Sequence, residues 1–389
     1  MNILFLTTNS AFFDQIHGGA ESSMKLISEQ LVKKNHQVHY ITINRPVKLV
    51  CNFEKHQKAG INITVFHRSR GRRFEFVKNI NNFLFKNKVR NVIRKNNVQL
   101  VYCFYELENV QMLLDLKNEL QSFKLVMRMA GMKWYEDSKK ERIKKEHFKE
   151  IFNKIDSVNF ISSGLKTLVD NKIEELNMKV KFKHSFVGDI GSSFRKEREF
   201  PYQGIQDNTF NLLMATRFSN YQKRQDILLE AVKIIGDQIP FRLNFVGSGV
   251  NRSKIEKAIY NYDLKDKVLV TPFLPQDQLW DRMLSSDLLC HSVEYEGLGK
   301  IVIESMAMGL PVLVSNVLPL NNYIIDGENG FLVNNDPVEW AEKIKELYRN
   351  KEKLLNVSNS SREFVKRKYD PNKNIELYEK NFKKLAEKL

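Results

Sequence analysis

Cysteine is scarce in this sequence. There are three in 389 residues (Cys51, Cys103 and Cys290), far apart and without the close spacing of a metal site. They fit a reducing cytosol, where thiols serve as small core residues. Long apolar runs are missing as well. No stretch approaches the roughly 18 apolar residues that a bilayer-spanning helix needs. The first residues, MNILFLTTN, lose their apolar character at Thr7. That pattern suits a buried first strand better than a secretory signal. No long window combines high charge with few apolar residues, so disorder is not expected. The chain is therefore expected to be cytoplasmic, with any membrane contact peripheral to the inner face.

Hydrophobic residues make up 42% of the chain and aromatics 11%, which is ample for packed cores. The length exceeds what one core usually holds, so two domains are expected. The charge is divided unequally between the halves. Residues 1–200 hold 36 Lys and Arg against 21 Asp and Glu, whereas residues 201–389 hold 26 against 25. The basic half should meet an anionic partner such as nucleic acid, a membrane surface or a phosphorylated acceptor.

Short apolar runs alternate with amphipathic segments along the whole chain. NILFLTT, QVHYITIN, QLVYCFY, KLVMRM and IDSVNFIS read as strands of the first half; FNLLMAT, FRLNFVG, KVLVTPF, DLLCHS, PVLVS and GFLV read as strands of the second. Their near-continuous apolar character implies burial on both faces, as in parallel α/β sheets. The expected architecture is α/β, with two doubly wound Rossmann-like domains facing across a cleft. The first covers residues 1–195 and the second 208–370, divided by the polar stretch RKEREFPYQGIQDN. Residues 371–389 read as a C-terminal helix that crosses back to the first domain.

In such sheets, ligands sit outside the carboxyl ends of strands and at helix N-termini. Four motifs fall at those turns. HGGAES places Gly18 and Gly19 between the first strand and helix, where a backbone amide can approach an anion. Taken alone, a plain glycine-rich turn reads the same way. ATRFSNYQKRQDILLEA places Arg217 and Lys223 after a strand and before a helix, a pairing that suits a diphosphate; isolated cations there are more often merely solvated. VGSG supplies a third turn at Ser248 and Gly249. The fourth stretch, EYEGLGKIVIESMAMGLPV, is the most specific. Glu296 ends a loop, Gly297 and Gly299 free the backbone around Leu298 and Lys300, and Glu304 lies in the first turns of a helix. A carboxylate there can accept from a ribose diol, and the loop amides can donate to a phosphate or a sugar oxygen.

EGLGKIVIESMAMGLPVLVS resembles the E-x7-E segment of retaining glycosyltransferases of the GT-B fold, specifically glycosyltransferase family 4 (glycosyl transferases group 1). DGENGFLV is similar to the segment that follows the donor site in that family. The likeness is dense from Phe210 to Val333 and sparse earlier, apart from the GGAE turn. It implies transfer of a sugar from a UDP- or GDP-sugar, used as a substrate with no further cofactor and no divalent metal. The lack of an Asp-x-Asp pair at a strand end agrees with that. The resemblance further implies that Gly18 and Gly19 approach the diphosphate and that Arg217 and Lys223 neutralise it. Pro272, Phe273 and Leu274 flank the base, Glu296 touches the sugar, Gly297, Leu298, Gly299 and Lys300 donate amides, and Glu304 holds the ribose. Arg217 and Lys223 stand one residue further apart than is usual in the family, so Arg224 competes with Lys223. Where the family often carries a first-domain histidine, VMRMAGMKWYED has none. Arg128 or Asp189 are candidate substitutes, and Trp134 a candidate for the acceptor path.

The stretch HRSRGRRFEFVKNINNFLFKNKVRNVIRKNN carries Arg68, Arg70, Arg72, Arg73, Lys78, Lys86, Lys88, Arg90, Arg94 and Lys95, with apolar residues at roughly helical spacing. A basic amphipathic helix of this kind can rest on an anionic leaflet; an ordinary surface helix packed on the sheet gives the same pattern. The expected acceptor is a growing envelope glycan, lipid-linked. Two other readings are weaker. A nucleotide-sugar epimerase would need acid/base carboxylates in the first half, and none is found. A nucleic-acid-binding module would show a recognised motif, and none is present.

Overall fold

The structure, a computed structural model, describes residues 1–13, 19–44, 51–68, 75–139, 145–191, 202, 204, 205, 208–218 and 222–389. Gly18, Arg70, Arg72, Arg73 and most of the expected interdomain stretch lie outside the described residues. The chain forms two compact units. Met1–Gly191 and Pro371–Leu389 make the first, and Ser192–Asp370 the second.

The first unit opens with β1 (Asn2–Thr7), α1 (Gly19–Lys33), β2 (Gln37–Asn44), β3 (Asn52–Lys58) and β4 (Ile61–His67). It continues through α2 (Glu75–Lys95), β5 (Leu100–Phe104), α3 (Leu107–Leu120), β6 (Lys124–Met129), α4 (Lys133–Lys139) and α5 (Lys145–Lys154). β7 (Ser157–Phe160), α6 (Ser163–Glu175) and β8 (Ser185–Val187) follow. The strands form one sheet in the order β3-β4-β2-β1-β5-β6-β7-β8. All its pairings are parallel except β3 with β4. That hairpin was not legible as a strand pair. β3 reads NFEKHQK and leaves its second half exposed at the sheet edge. Its turn is the two residues Ala59 and Gly60, both with positive φ (49° and 76°), the backbone that tight hairpins require.

The second unit holds β9 (Phe210–Ala215), α7 (Gln225–Ile235), β10 (Phe241–Val246), α8 (Arg252–Asn261), β11 (Val268–Thr271) and α9 (Gln276–Leu284). β12 (Leu288–His291), α10 (Lys300–Ala307), β13 (Val312–Ser315), β14 (Phe331–Val333), α11 (Pro337–Arg349) and α12 (Lys351–Lys368) complete it. Its six strands run β11-β10-β9-β12-β13-β14, all parallel. The order reverses between β9 and β12, and in doubly wound sheets that reversal opens a crevice beyond the carboxyl ends of the two strands.

The last helix, α13 (Pro371–Ala386), belongs to the first unit. Its Ile375, Tyr378, Phe382 and Leu385 are buried in the same cluster as Ile3, Phe5, Val38 and Tyr102. A buried charge pins it further. The Arg128 guanidinium donates to the Tyr378 hydroxyl (2.9 Å), Asn159 Oδ1 (3.0 Å), the Tyr102 hydroxyl (3.2 Å) and Asp189 Oδ2 (2.8 Å). Tyr378 in turn donates to the Gly188 carbonyl (2.7 Å), and Asn374 to that of Asp189 (3.1 Å). Burial disfavours the charge on Arg128, but the Tyr102 and Tyr378 hydroxyls and the Asp189 carboxylate outweigh it and hold the guanidinium firmly charged. Arg128 and Asp189 were expected to face an acceptor. Their side chains are instead 1% and 2% exposed and engage one another, because a lone charge at that depth is untenable. Trp134 is likewise fully buried, against Phe148 and Phe152.

Replacing Asp189 with Ala leaves Arg128 buried without its counter-ion. The first unit should lose about 3–5 kcal/mol of stability, read as a lower urea midpoint for the α13-containing unit.

Candidate functional site

The candidate residues of the second unit follow successive strands at one end of its sheet. Arg217 and Lys223 come after β9, Ser248 and Gly249 after β10, Pro272 to Leu274 after β11, and Glu296 after β12. The chain is locally tied to hold them there. The segment before α7 pairs antiparallel with the loop after β12, through a bridge between Lys223 and Val293. Arg224 N donates to the Ser292 carbonyl (3.0 Å), Glu294 N to that of Gln222 (2.9 Å), and Ser292 Oγ to that of Arg224 (2.7 Å).

This tie brings Lys223 and Glu296 together. The Lys223 ammonium hydrogen-bonds Glu296 Oε2. His291 Nε2 lies 3.1 Å from the same oxygen. Glu296 Oε1 accepts from the Gly297 amide at 3.0 Å. Burial pushes the Glu296 carboxyl up, but the Lys223 ammonium and the His291 imidazole more than offset this and hold it well below the usual carboxylate range. Burial lowers the proton affinity of His291, reinforced by Lys223 and opposed by Glu296. At neutral pH the imidazole is therefore neutral, and with Nε2 donating to Glu296 its proton sits on Nε2. His291 drew no attention in the sequence because it ends an apolar strand and reads as core.

Arg224 is engaged elsewhere, with Asp226 (2.8 Å) and Glu294 (3.0 Å). Arg217 is exposed, and Gln225 Nε2 donates to its carbonyl (3.1 Å) and to Thr216 Oγ1 (3.0 Å), fixing the turn. The turn after β10 presses on the same backbone. Phe218 N donates to the Ser248 carbonyl at 2.9 Å. Gly247 and Gly249 have φ of 151° and 153°, and a Cβ would lie 1.9 Å from the Thr216 carbonyl oxygen and 2.3 Å from that of Phe218. Only glycine permits this approach.

α10 starts from Gly299, whose φ is 78°, and a Cβ there would lie 2.8 Å from Leu320 Cδ2. Tyr323 donates to the Leu298 carbonyl at 2.7 Å, holding the loop under the helix start. Lys300 is the first residue of α10, and Glu304 lies one turn further along it, buried, accepting from Gln276 Nε2 at 3.2 Å. Pro272 is exposed, and Phe273 and Leu274 are half-buried. Gly19 begins α1 in the first unit. Among the described residues no three His, Cys, Asp or Glu gather as a metal site would.

Residues 195–364 match the family model described as Glycosyl transferases group 1. An uncharacterized glycosyltransferase of Methanocaldococcus jannaschii is 32% identical over 150 residues, 38% of this chain and 40% of that protein. The N-acetyl-alpha-D-glucosaminyl L-malate synthase of Bacillus anthracis is 27% identical over 178 residues, 45% of this chain and 46% of the synthase. Each match thus spans less than half of the relative's length. Among solved structures, sucrose-phosphate synthase from Thermosynechococcus elongatus superposes with a TM-score of 0.79 at 16% identity, over 100% of both chains. Anabaena HepE, solved with UDP and glucose, superposes with a TM-score of 0.72 at 15% identity, over 99% of this chain and 100% of that one. The architecture is thus the GT-B fold.

The depressed acidity of Glu296 has a consequence for stability. A carboxylate held ionised in the native state stabilises above its unfolded value and loses that contribution as pH falls toward the native one. The stability advantage of the wild type over Glu296→Gln should be full above the ordinary value of 4.5 and shrink below it, as measured by urea unfolding across a pH series.

Proposed function

We propose that this protein is a retaining glycosyltransferase that moves a sugar from a UDP- or GDP-sugar to a glycan or lipid-linked acceptor in the synthesis of a bacterial envelope polysaccharide. The observation that carries this reading is the Lys223–Glu296 pair at the sheet's point of reversal, beside the glycine turn and the start of α10. When a nucleoside diphosphate leaves an anomeric carbon, negative charge grows on the β-phosphate and positive charge on the sugar. Arg217, Lys223 and the amides at the start of α10 would meet the first. Glu296, ionised, can only accept hydrogen bonds. Its role is therefore to orient sugar hydroxyls, not to protonate a leaving group. Glu304, steered by Gln276, would accept from the ribose diol. The carboxylate beside the anomeric carbon is already engaged by a lysine. Retention is then best served by attack on the face from which the phosphate departs, with that phosphate taking the acceptor's proton.

UDP or GDP should raise the melting temperature by mass action. Arg217→Ala and Lys223→Ala should weaken that binding by about tenfold or more, since each removes a charge-assisted contact. Glu304→Ala should erase the preference for the ribonucleoside diphosphate over its 2′-deoxy form. Unchanged binding in all three variants, by calorimetry, removes the assignment.

Peripheral membrane contact is the second part of the proposal. On α2, Phe85, Val89 and Ile93 are buried, while Phe76, Ile80 and Phe83 are 74%, 40% and 65% exposed. The exposed three recur at the i, i+4, i+7 spacing of one helical face. The helix's cations are less free than the sequence suggested. Lys78 pairs with Glu108 (3.2 Å), Lys86 with Asp115 (3.2 Å) and Arg90 with Glu119 (2.7 Å) of α3. The apolar stripe therefore supplies most of the attraction. No described helix is long and apolar enough to cross a membrane. Flotation with vesicles of anionic lipid should recover the wild type and lose Phe76→Ser/Phe83→Ser; equal recovery of both removes this part.

A further inference from the structure

Glu296 is held by more than the lysine that the diphosphate would recruit. Its Oε2 faces two donors: the Lys223 ammonium on the strap before α7, and His291 Nε2 at the end of β12. These two donors differ in freedom. Lys223 sits on a long flexible stem at the carboxyl end of β9. His291 is 1% exposed, in register with Val314 of β13, and its Nδ1 has no hydrogen-bond partner among the described residues. Among the described residues the imidazole thus makes one polar contact, and that contact is with Glu296.

We infer that His291 is a positioning residue that keeps Glu296 oriented and ionised when an arriving diphosphate draws Lys223 toward itself. This rests on the reading of the site as a donor-sugar site. Lys223 has three N–H donors but one location. An anion carrying two charges competes for it directly, and each step of Lys223 toward the phosphate weakens its hold on the carboxylate. A buried carboxylate left without a partner takes up a proton, and a protonated Glu296 would offer a sugar hydroxyl a different hydrogen-bonding pattern. His291 prevents this because it is locked in the strand and has no competing partner among the described residues. Among the described residues the charged groups facing it are Lys223 and Glu296: β13 places apolar Val314 opposite, and Tyr323 beside the loop is engaged with the Leu298 carbonyl. Neutral throughout, the imidazole donates one hydrogen bond without adding a positive charge that would compete for the phosphate.

The test uses the whole protein with His291→Leu, which removes the donor, and His291→Gln, which keeps an N–H donor. Two readouts are taken. The first is affinity for the nucleoside diphosphate and for the corresponding nucleotide-sugar, by calorimetry. His291→Leu should bind the nucleoside diphosphate within about threefold of wild type and the nucleotide-sugar about tenfold more weakly, because the loss falls on the sugar contact. His291→Gln should recover most of it. Equal loss of both ligands, or no loss of either, overturns the inference. The second needs no ligand: the pH below which Glu296 ceases to stabilise the fold, from the difference between each His291 background with and without Glu296→Gln. That limb should move up by about one pH unit in His291→Leu and return in His291→Gln; an unmoved limb overturns the inference. If no nucleoside diphosphate binds the wild type, the donor-site reading fails, and the pH limb still decides whether His291 holds Glu296. Should His291→Leu not fold, His291→Gln and His291→Asn carry the same comparison, with Asn, too short to reach Oε2, as the variant expected to lose it.

Discussion

A carboxylate largely withdrawn from water at the end of a parallel sheet has to be compensated where it sits, and the second unit is organised around that requirement. Glu296 is compensated by Lys223, and Lys223 reaches it only because the strap before α7 is sewn to the loop after β12 by main-chain bonds. Those bonds, in turn, join the two strands at which the sheet order reverses. The turn after β10 closes the same region from the other side, where two glycines let its backbone press on that of Thr216 and Phe218. The loop that presents Arg217 is thus fixed by its neighbours: Gln225 holds its carbonyl, and the glycine turn holds its flank. Cations gathered at the crevice repel one another unless an anion sits among them. Glu296 is the anion that lets Lys223 wait there in the unliganded protein.

The first unit solves a related problem differently. Arg128 is buried on β6 with its charge answered by Asp189 and by oxygens from three further elements, the Tyr102 and Tyr378 hydroxyls and the Asn159 amide oxygen. One of those hydroxyls, that of Tyr378, comes from α13, which the chain reaches only after the whole second unit has been laid down. The buried network therefore closes late in the sequence, and it specifies where α13 must dock, since no other tyrosine on that helix presents a hydroxyl to the guanidinium. Such networks contribute specificity more surely than net stability. The apolar contacts of Ile375, Phe382 and Leu385 supply attraction, while Arg128 supplies the register.

What was legible in the sequence follows from what is buried on both faces. Strands such as FNLLMA and KLVMRM are mostly apolar, with no alternation, as strands covered on both faces are, so they stood out without any periodicity. β3 did not: at a sheet edge, with a charged and exposed second half, nothing in NFEKHQK distinguishes it from a loop until its pairing with β4 is seen. At the site, Glu296, Glu304 and the glycines were visible because carboxylates and glycines at a strand-to-helix turn have few structural uses. Arg128 and Asp189 were read as acceptor-side substitutes for the histidine that the family often carries; only the tertiary pairing reveals that each is the other's reason for being inside. His291 was missed for the converse reason, since a single polar residue closing the apolar run LLCH carries no mark of its partner five residues on.

The uneven charge of the two halves illustrates the distance between composition and field. Counted along the chain, the first half is strongly basic, and α2 carries much of that charge. Once folded, the helix lies beside α3, and Glu108, Asp115 and Glu119 of α3 meet Lys78, Lys86, Arg90 and Arg94 in turn. Partly exposed pairs of this kind are worth little as stabilisation, yet they neutralise the local field, since opposite charges a few ångströms apart appear as a dipole beyond one Debye length. A surface so balanced attracts an anionic leaflet far less than its count of cations implies. The aromatic stripe of Phe76 and Phe83 is not balanced by anything equivalent, and large apolar side chains left in water at helical spacing are the feature of α2 that folding alone does not account for.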